Sequence, residues 1–123
     1  MTALLFVAVA GGLGAVLRFV VDDLVRARFT TLFPLGTAVV NATGSLALGV
    51  VTGLALGAVL SPGWELVLGT GVIGGYTTFS TASLETVRLL QDREPRLALL
   101  NGFGMLTLTV LLGLLGLWLG SLA

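Results

Sequence analysis

Four runs without a charged side chain limit how this chain can fold: Met1 to Leu17, Phe29 to Trp64, Leu66 to Leu84 and Leu97 to Ala123. A spanning helix needs about 20 apolar residues, so the runs predict four crossings of a bilayer. Composition agrees, because 56% of the chain is hydrophobic and only 10% charged, which no water-soluble core and surface accommodate together. The prediction is an all-α membrane protein, a single transmembrane domain over residues 1–123 with helices at about 3–21, 34–59, 64–90 and 96–119. Ala8-Val9-Ala10 could mark a signal peptide, but no basic segment precedes it and three more runs follow, so it reads as part of the first helix. Net charge is zero, which gives no reason to expect a nucleic-acid partner, and no Cys or His is present to form disulfides or the usual transition-metal sites.

Charge placement carries more information than charge total. All six basic residues are Arg: Arg18, Arg26 and Arg28 close the first span, and Arg88, Arg93 and Arg96 bracket the turn between the third and fourth. Residues 22–33 form the first loop with room for a short surface helix, while Ser61-Pro62-Gly63 and Gln91 to Pro95 are turns. Both Arg-bearing connections lie on one side, so that side is cytoplasmic and both termini face outward. Trp64 and Trp118 fall on the outer side, where an aromatic belt belongs.

Inside the spans, polar residues are few and placed in patterns. The second span carries Thr37, Asn41 and Ser45 on one helical face, either as glue between helices or as the lining of a wet cavity. Asn41-Ala42-Thr43 fits a glycosylation acceptor but lies within a span, and Gly49, Gly53 and Gly57 read as close helix packing. Arg18 is an interfacial anchor or a cation at the mouth of an anion path. In the fourth span Asn101, Met105 and Thr109 share a face.

The third span is the least regular. Gly74-Gly75-Tyr76-Thr77-Thr78 is a poor helix near its middle, and a break there frees backbone groups that lipid cannot satisfy. Thr77, Thr78, Ser80, Thr81 and Ser83 add hydroxyls around Phe79, which favours a permeation site over a packing kink. Gly69 to Gly74 also matches G-x-G-x-x-G, but that fingerprint requires a strand before it in a soluble βαβ unit.

These motifs together resemble the small four-helix Fluc (CrcB-type) fluoride channels. The resemblance rests on Gly11-Gly12-x-Gly14-Ala15-x-x-Arg18, on Gly36-Thr37-x-x-x-Asn41-x-x-Gly44, and on Gly74-Gly75-Tyr76-Thr77-Thr78-Phe79-Ser80-Thr81 with Ser83-Leu84-Glu85. It implies a fluoride-selective channel in a bacterial-type plasma membrane, built as an antiparallel dual-topology dimer with a break in the middle of the third helix. It also implies a structural Na⁺ on the carbonyls of Gly74 and Thr77. The fluoride path would be Thr37, Asn41, Phe79, Ser80, Thr81 and Thr109, with Arg18 and Glu85 in a vestibule. Fluoride only accepts hydrogen bonds, so its path needs N–H and O–H donors, and the positive edge of a phenyl ring can face it as well.

One departure stands out. Where the family pattern has a second phenylalanine, this chain has Ala82. A fixed topology and a missing ring together favour pairing with a homologous inverted subunit over a homodimer. The alternatives are a small proton-coupled antiporter of the multidrug type and a non-conducting partner subunit. The antiporter needs a titratable carboxylate deep in the bundle, and the first span has none before Asp22.

Overall fold

The computed structural model describes residues 1–123, and every regular element in it is helical. Helix α1 is Thr2–Arg28 and α2 is Leu35–Leu56. Helix α3 covers residues 62–76 as an α-helical turn Pro62–Glu65, a π-helical stretch Leu66–Ile73 and a last turn Gly74–Tyr76. After Thr77 and Thr78 the chain resumes as α4, Phe79–Gln91. Helix α5 is Pro95–Ser121 with a π-helical stretch Leu100–Gly104. Helices α1, α2 and α5 are each long and apolar enough to cross a membrane.

Two boundaries differ from the sequence reading for local reasons. The first helix passes through residues 22–28, where a loop was expected, because Arg26 Nε bonds Asp22 Oδ1 at 3.0 Å one turn back. Arg26 and Arg28 in its last turn also suit the negative end of the helix dipole. The second helix stops at Leu56 rather than about 59. There Ala58 N–H donates to the Ala55 carbonyl and Val59 N–H to the Leu54 carbonyl, a Schellman closure with Ala58 in the left-handed region at φ 57°. Helix α4 ends the same way, with Arg93 at φ 59° and Glu94 N–H on the Leu89 carbonyl. Pro62 and Pro95 then start the following helices at positions where no N–H is needed.

Two seams hold the helices together at backbone distance. Along α2 and α5, a Cβ on Gly49 would run into the Gly113 carbonyl, and one on Gly116 would meet the Leu46 carbonyl. Along α1 and α3, a Cβ on Gly14 would meet the Val72 carbonyl. Such close approach gains dispersion contact in surroundings where no hydrophobic force drives helices together. Only 18 of 123 residues are buried within the chain, and large apolar side chains such as Leu5, Phe6, Leu13, Leu111 and Leu115 face outward. That surface is one for lipid or another apolar chain.

Candidate functional site

Backbone geometry at Thr77 and Thr78 defines the site. Both residues are extended, with Thr77 at φ −78°, ψ 158° and Thr78 at φ −148°, ψ 123°, between two helical segments. In an unbroken helix the Thr78 N–H would close on the Gly74 carbonyl. Here it donates to Asn41 Oδ1 at 2.8 Å, while Asn41 Nδ2 donates to the Thr78 carbonyl at 2.8 Å. One side-chain amide of α2 thus satisfies both backbone groups of one residue, and the Gly74 carbonyl is released from its helical partner.

Further contacts hold the same point. Tyr76 Oη and Thr43 Oγ1 lie 2.9 Å apart, and Arg18 Nη1 donates to the Thr77 carbonyl at 3.4 Å. Thr78 then caps α4, its Oγ1 accepting from Thr81 N–H at 3.2 Å and donating to Thr81 Oγ1 at 3.1 Å. Glycine at 44 makes room, because a Cβ there would collide with Thr77 Cγ2.

Around this point the residues singled out from the sequence fall into separate groups. Asn41, Phe79 and Thr109 line a groove of about 320 Å³ between α2, α4 and α5, together with Ser45, Ala82 and Ser83. Thr109 Oγ1 bonds back to the Leu106 carbonyl at 3.1 Å. Arg18, Thr37 and Thr81 line a smaller cavity of about 80 Å³ beside Asp22, and Thr78 borders both. Ser80 is exposed next to Phe79, and Phe79 itself is 88% exposed. Gly74 also lies at the surface of the chain.

Glu85 belongs to neither group. It is buried, its Oε1 accepting from Thr37 Oγ1 at 2.9 Å and from Arg26 Nη2 at 3.5 Å, while Oε2 has no partner. It borders a third cavity, of about 240 Å³, with Arg26 and Arg88. The polar stripe on α2 therefore divides by position: Thr37 holds Glu85, Asn41 holds Thr78, and Ser45 lines the groove. Arg18 turns one guanidinium nitrogen to the break, on the Thr77 carbonyl. The Thr43–Tyr76 pair and the buried Asn101 carry roles that spacing alone did not assign, although Asn101 was already placed on one face with Thr109.

Residues 5–121 match the family model described as CrcB-like protein, Camphor Resistance (CrcB). This chain belongs to the CrcB family. It is similar to the fluoride-specific ion channel FluC 1 of Leifsonia xyli subsp. xyli, at 60% identity over 119 residues, which cover 97% of this chain and 87% of that one. FluC 2 of Cutibacterium acnes is 48% identical over 119 residues, covering 96% and 97%. FluC of Thermus thermophilus is 44% identical over 117 residues, covering 95% and 94%. These CrcB relatives are named as ion channels and not as enzymes, and with the three apolar helices they mark the chain as a multi-pass membrane protein.

Proposed function

We propose that the chain is a subunit of a fluoride-selective channel for passive fluoride export, which confers resistance to fluoride. The observation that carries the reading is a half-built groove: hydroxyl and amide donors line it, and Phe79 beside it is 88% exposed in the single chain. An apolar ring left open next to polar donors calls for a second subunit. The resemblance supplies its arrangement, an antiparallel partner inverted in the membrane.

In this reading α3 and α4 together form the third of four crossings, broken at its midplane. The Arg-bearing ends of α1 and α4 meet through the Arg26–Glu85 contact and face the cytoplasm, with both termini outside a plasma membrane of bacterial type. Because the charge bias is one-sided and Ala82 leaves a ring missing, the partner is a homologous inverted subunit rather than a second copy. Around the break the second N–H of Asn41 and the Ser80 and Thr81 hydroxyls replace water around the ion, with the Phe79 ring edge facing it; Thr37 and Thr109 border the path and meet the ion only by turning their hydroxyls from Glu85 Oε1 and the Leu106 carbonyl. Arg18 and Glu85 lie toward the inner mouth.

The residues also fit a structural Na⁺ at the dimer centre. Its two proposed ligands are carbonyls on the break: Gly74 has lost its helical donor, and Thr77 accepts only a long bond from Arg18 and keeps a second lone pair. A cation there would tie the two breaks together.

Fluoride efflux from proteoliposomes tests the reading. The chain with its inverted partner should release fluoride, and the chain alone should not do so equally well; equal flux from the chain alone rejects the homologous partner in favour of a homodimer. Dependence on a proton gradient would favour the antiporter, and absence of flux with every homologous partner would favour a non-conducting subunit.

A further inference from the structure

Asn101 sits on the π-helical stretch of α5 and is 3% exposed. Its Nδ2 donates to the Ala82 carbonyl at 3.1 Å and to Thr86 Oγ1 at 2.8 Å. A carbonyl only accepts, so the bond to Ala82 fixes which way the amide is turned. Thr86 Oγ1 in turn donates to the same Ala82 carbonyl at 2.9 Å. Three residues close a triangle of bonds between α4 and α5. On the same stretch Gly102 also faces Thr86, where a Cβ would make ordinary contact, 3.8 Å from Thr86 Cγ2.

All three corners of the triangle border the groove that Asn41 and Thr109 line. Both N–H groups of Asn101 are spent on α4, so its amide acts on the groove through spacing and not by offering a donor. At residue 82 only a methyl group stands between the helices, and apolar contact of that size yields easily, whereas hydrogen bonds hold a narrow range of lengths.

We infer that Asn101 is a positioning residue: by fixing the distance from α5 to the Ala82–Thr86 turn of α4, it sets the width of the groove and so the preference for fluoride over larger halides. This rests on the groove being a wall of the ion path. A wall of donors held at a fixed distance matches a small anion, and a wall free to widen accepts a larger one with water still attached.

Two variants test the clamp. Asn101→Leu keeps the branched outline and removes both donors, and Thr86→Val replaces the bridging hydroxyl with a methyl group. Fluoride and chloride efflux are measured from proteoliposomes holding the full chain with its inverted partner, and melting is followed for both variants and the double variant. The fluoride-to-chloride ratio should fall about tenfold in Thr86→Val, the size of one lost hydrogen bond between the helices, and at least as far in Asn101→Leu, which removes both, while fluoride still flows. The double variant should melt no lower than the worse single one. An unchanged ratio overturns the inference, and so does loss of all flux from an assembled channel, which would make Asn101 an ion contact. Should Asn101→Leu fail to assemble, the ratio in Thr86→Val decides alone. If the unaltered channel carries no fluoride, the channel reading fails, and the clamp is then judged by the melting cycle, where additive losses reject it.

Discussion

Replacing Asn41 probes the break directly, because one amide serves both backbone groups of Thr78 at 2.8 Å. Asn41→Leu keeps the branched outline and strips a donor and an acceptor, leaving the Thr78 N–H and carbonyl without partners. Each unsatisfied buried group costs about 1–3 kcal/mol, and since both bonds are only partly buried the lower range applies, for a loss of about 2–4 kcal/mol. Asn41→Asp is a different perturbation. Its carboxylate still accepts from Thr78 N–H but faces the Thr78 carbonyl with an oxygen, and a charge near the centre of a spanning helix adds a further ~3 kcal/mol. Fluoride efflux should be abolished in Asn41→Asp. Amide hydrogen exchange separates the two: Thr78 N–H should lose protection in Asn41→Leu and keep it in Asn41→Asp. Unchanged melting together with full Thr78 protection in Asn41→Leu would refute the bracket, and retained flux in Asn41→Asp would remove Asn41 from the ion path.

Other expectations follow from single contacts. Gly44→Ala drives a Cβ into Thr77 Cγ2 and should cost about 1–3 kcal/mol and most of the flux, while Gly12→Ala, whose Cβ would meet nothing within 4 Å in the chain, should not lower melting. Ala58→Gly relieves a left-handed residue at a Schellman closure and should raise stability by about 1 kcal/mol in a denaturation assay. Thr37→Val takes the 2.9 Å donor from a buried Glu85 that already has one oxygen unpaired, so melting should fall by about 1–3 kcal/mol, more than for the exposed Thr107→Val.

Hydropathy made the all-helical, membrane-spanning character legible, since it depends only on order along the chain. Weakness in Gly74 to Thr78 was legible too, but the glycines themselves remain helical and the chain leaves the helix at Thr77 and Thr78. Propensity locates a soft segment; the exit is decided by Asn41, 37 residues away, which captures the Thr78 backbone. The same limit hid the Thr43–Tyr76 pair and the Asn101 triangle, because each joins residues on different helices. Helix α1 outran its expected end because an Asp22–Arg26 pair within one helix can look, in sequence, like the charged start of a loop. Ala82 was visible as a departure from the family pattern, whereas the bonds converging on its carbonyl required the fold.

The most direct test is fluoride efflux, followed with a fluoride electrode, from proteoliposomes loaded with fluoride, with and without a proton gradient. The account expects rapid release when this chain is reconstituted with its inverted partner, at a rate set by voltage and indifferent to the proton gradient. Release that requires the proton gradient, or none from any assembled pair, would contradict it.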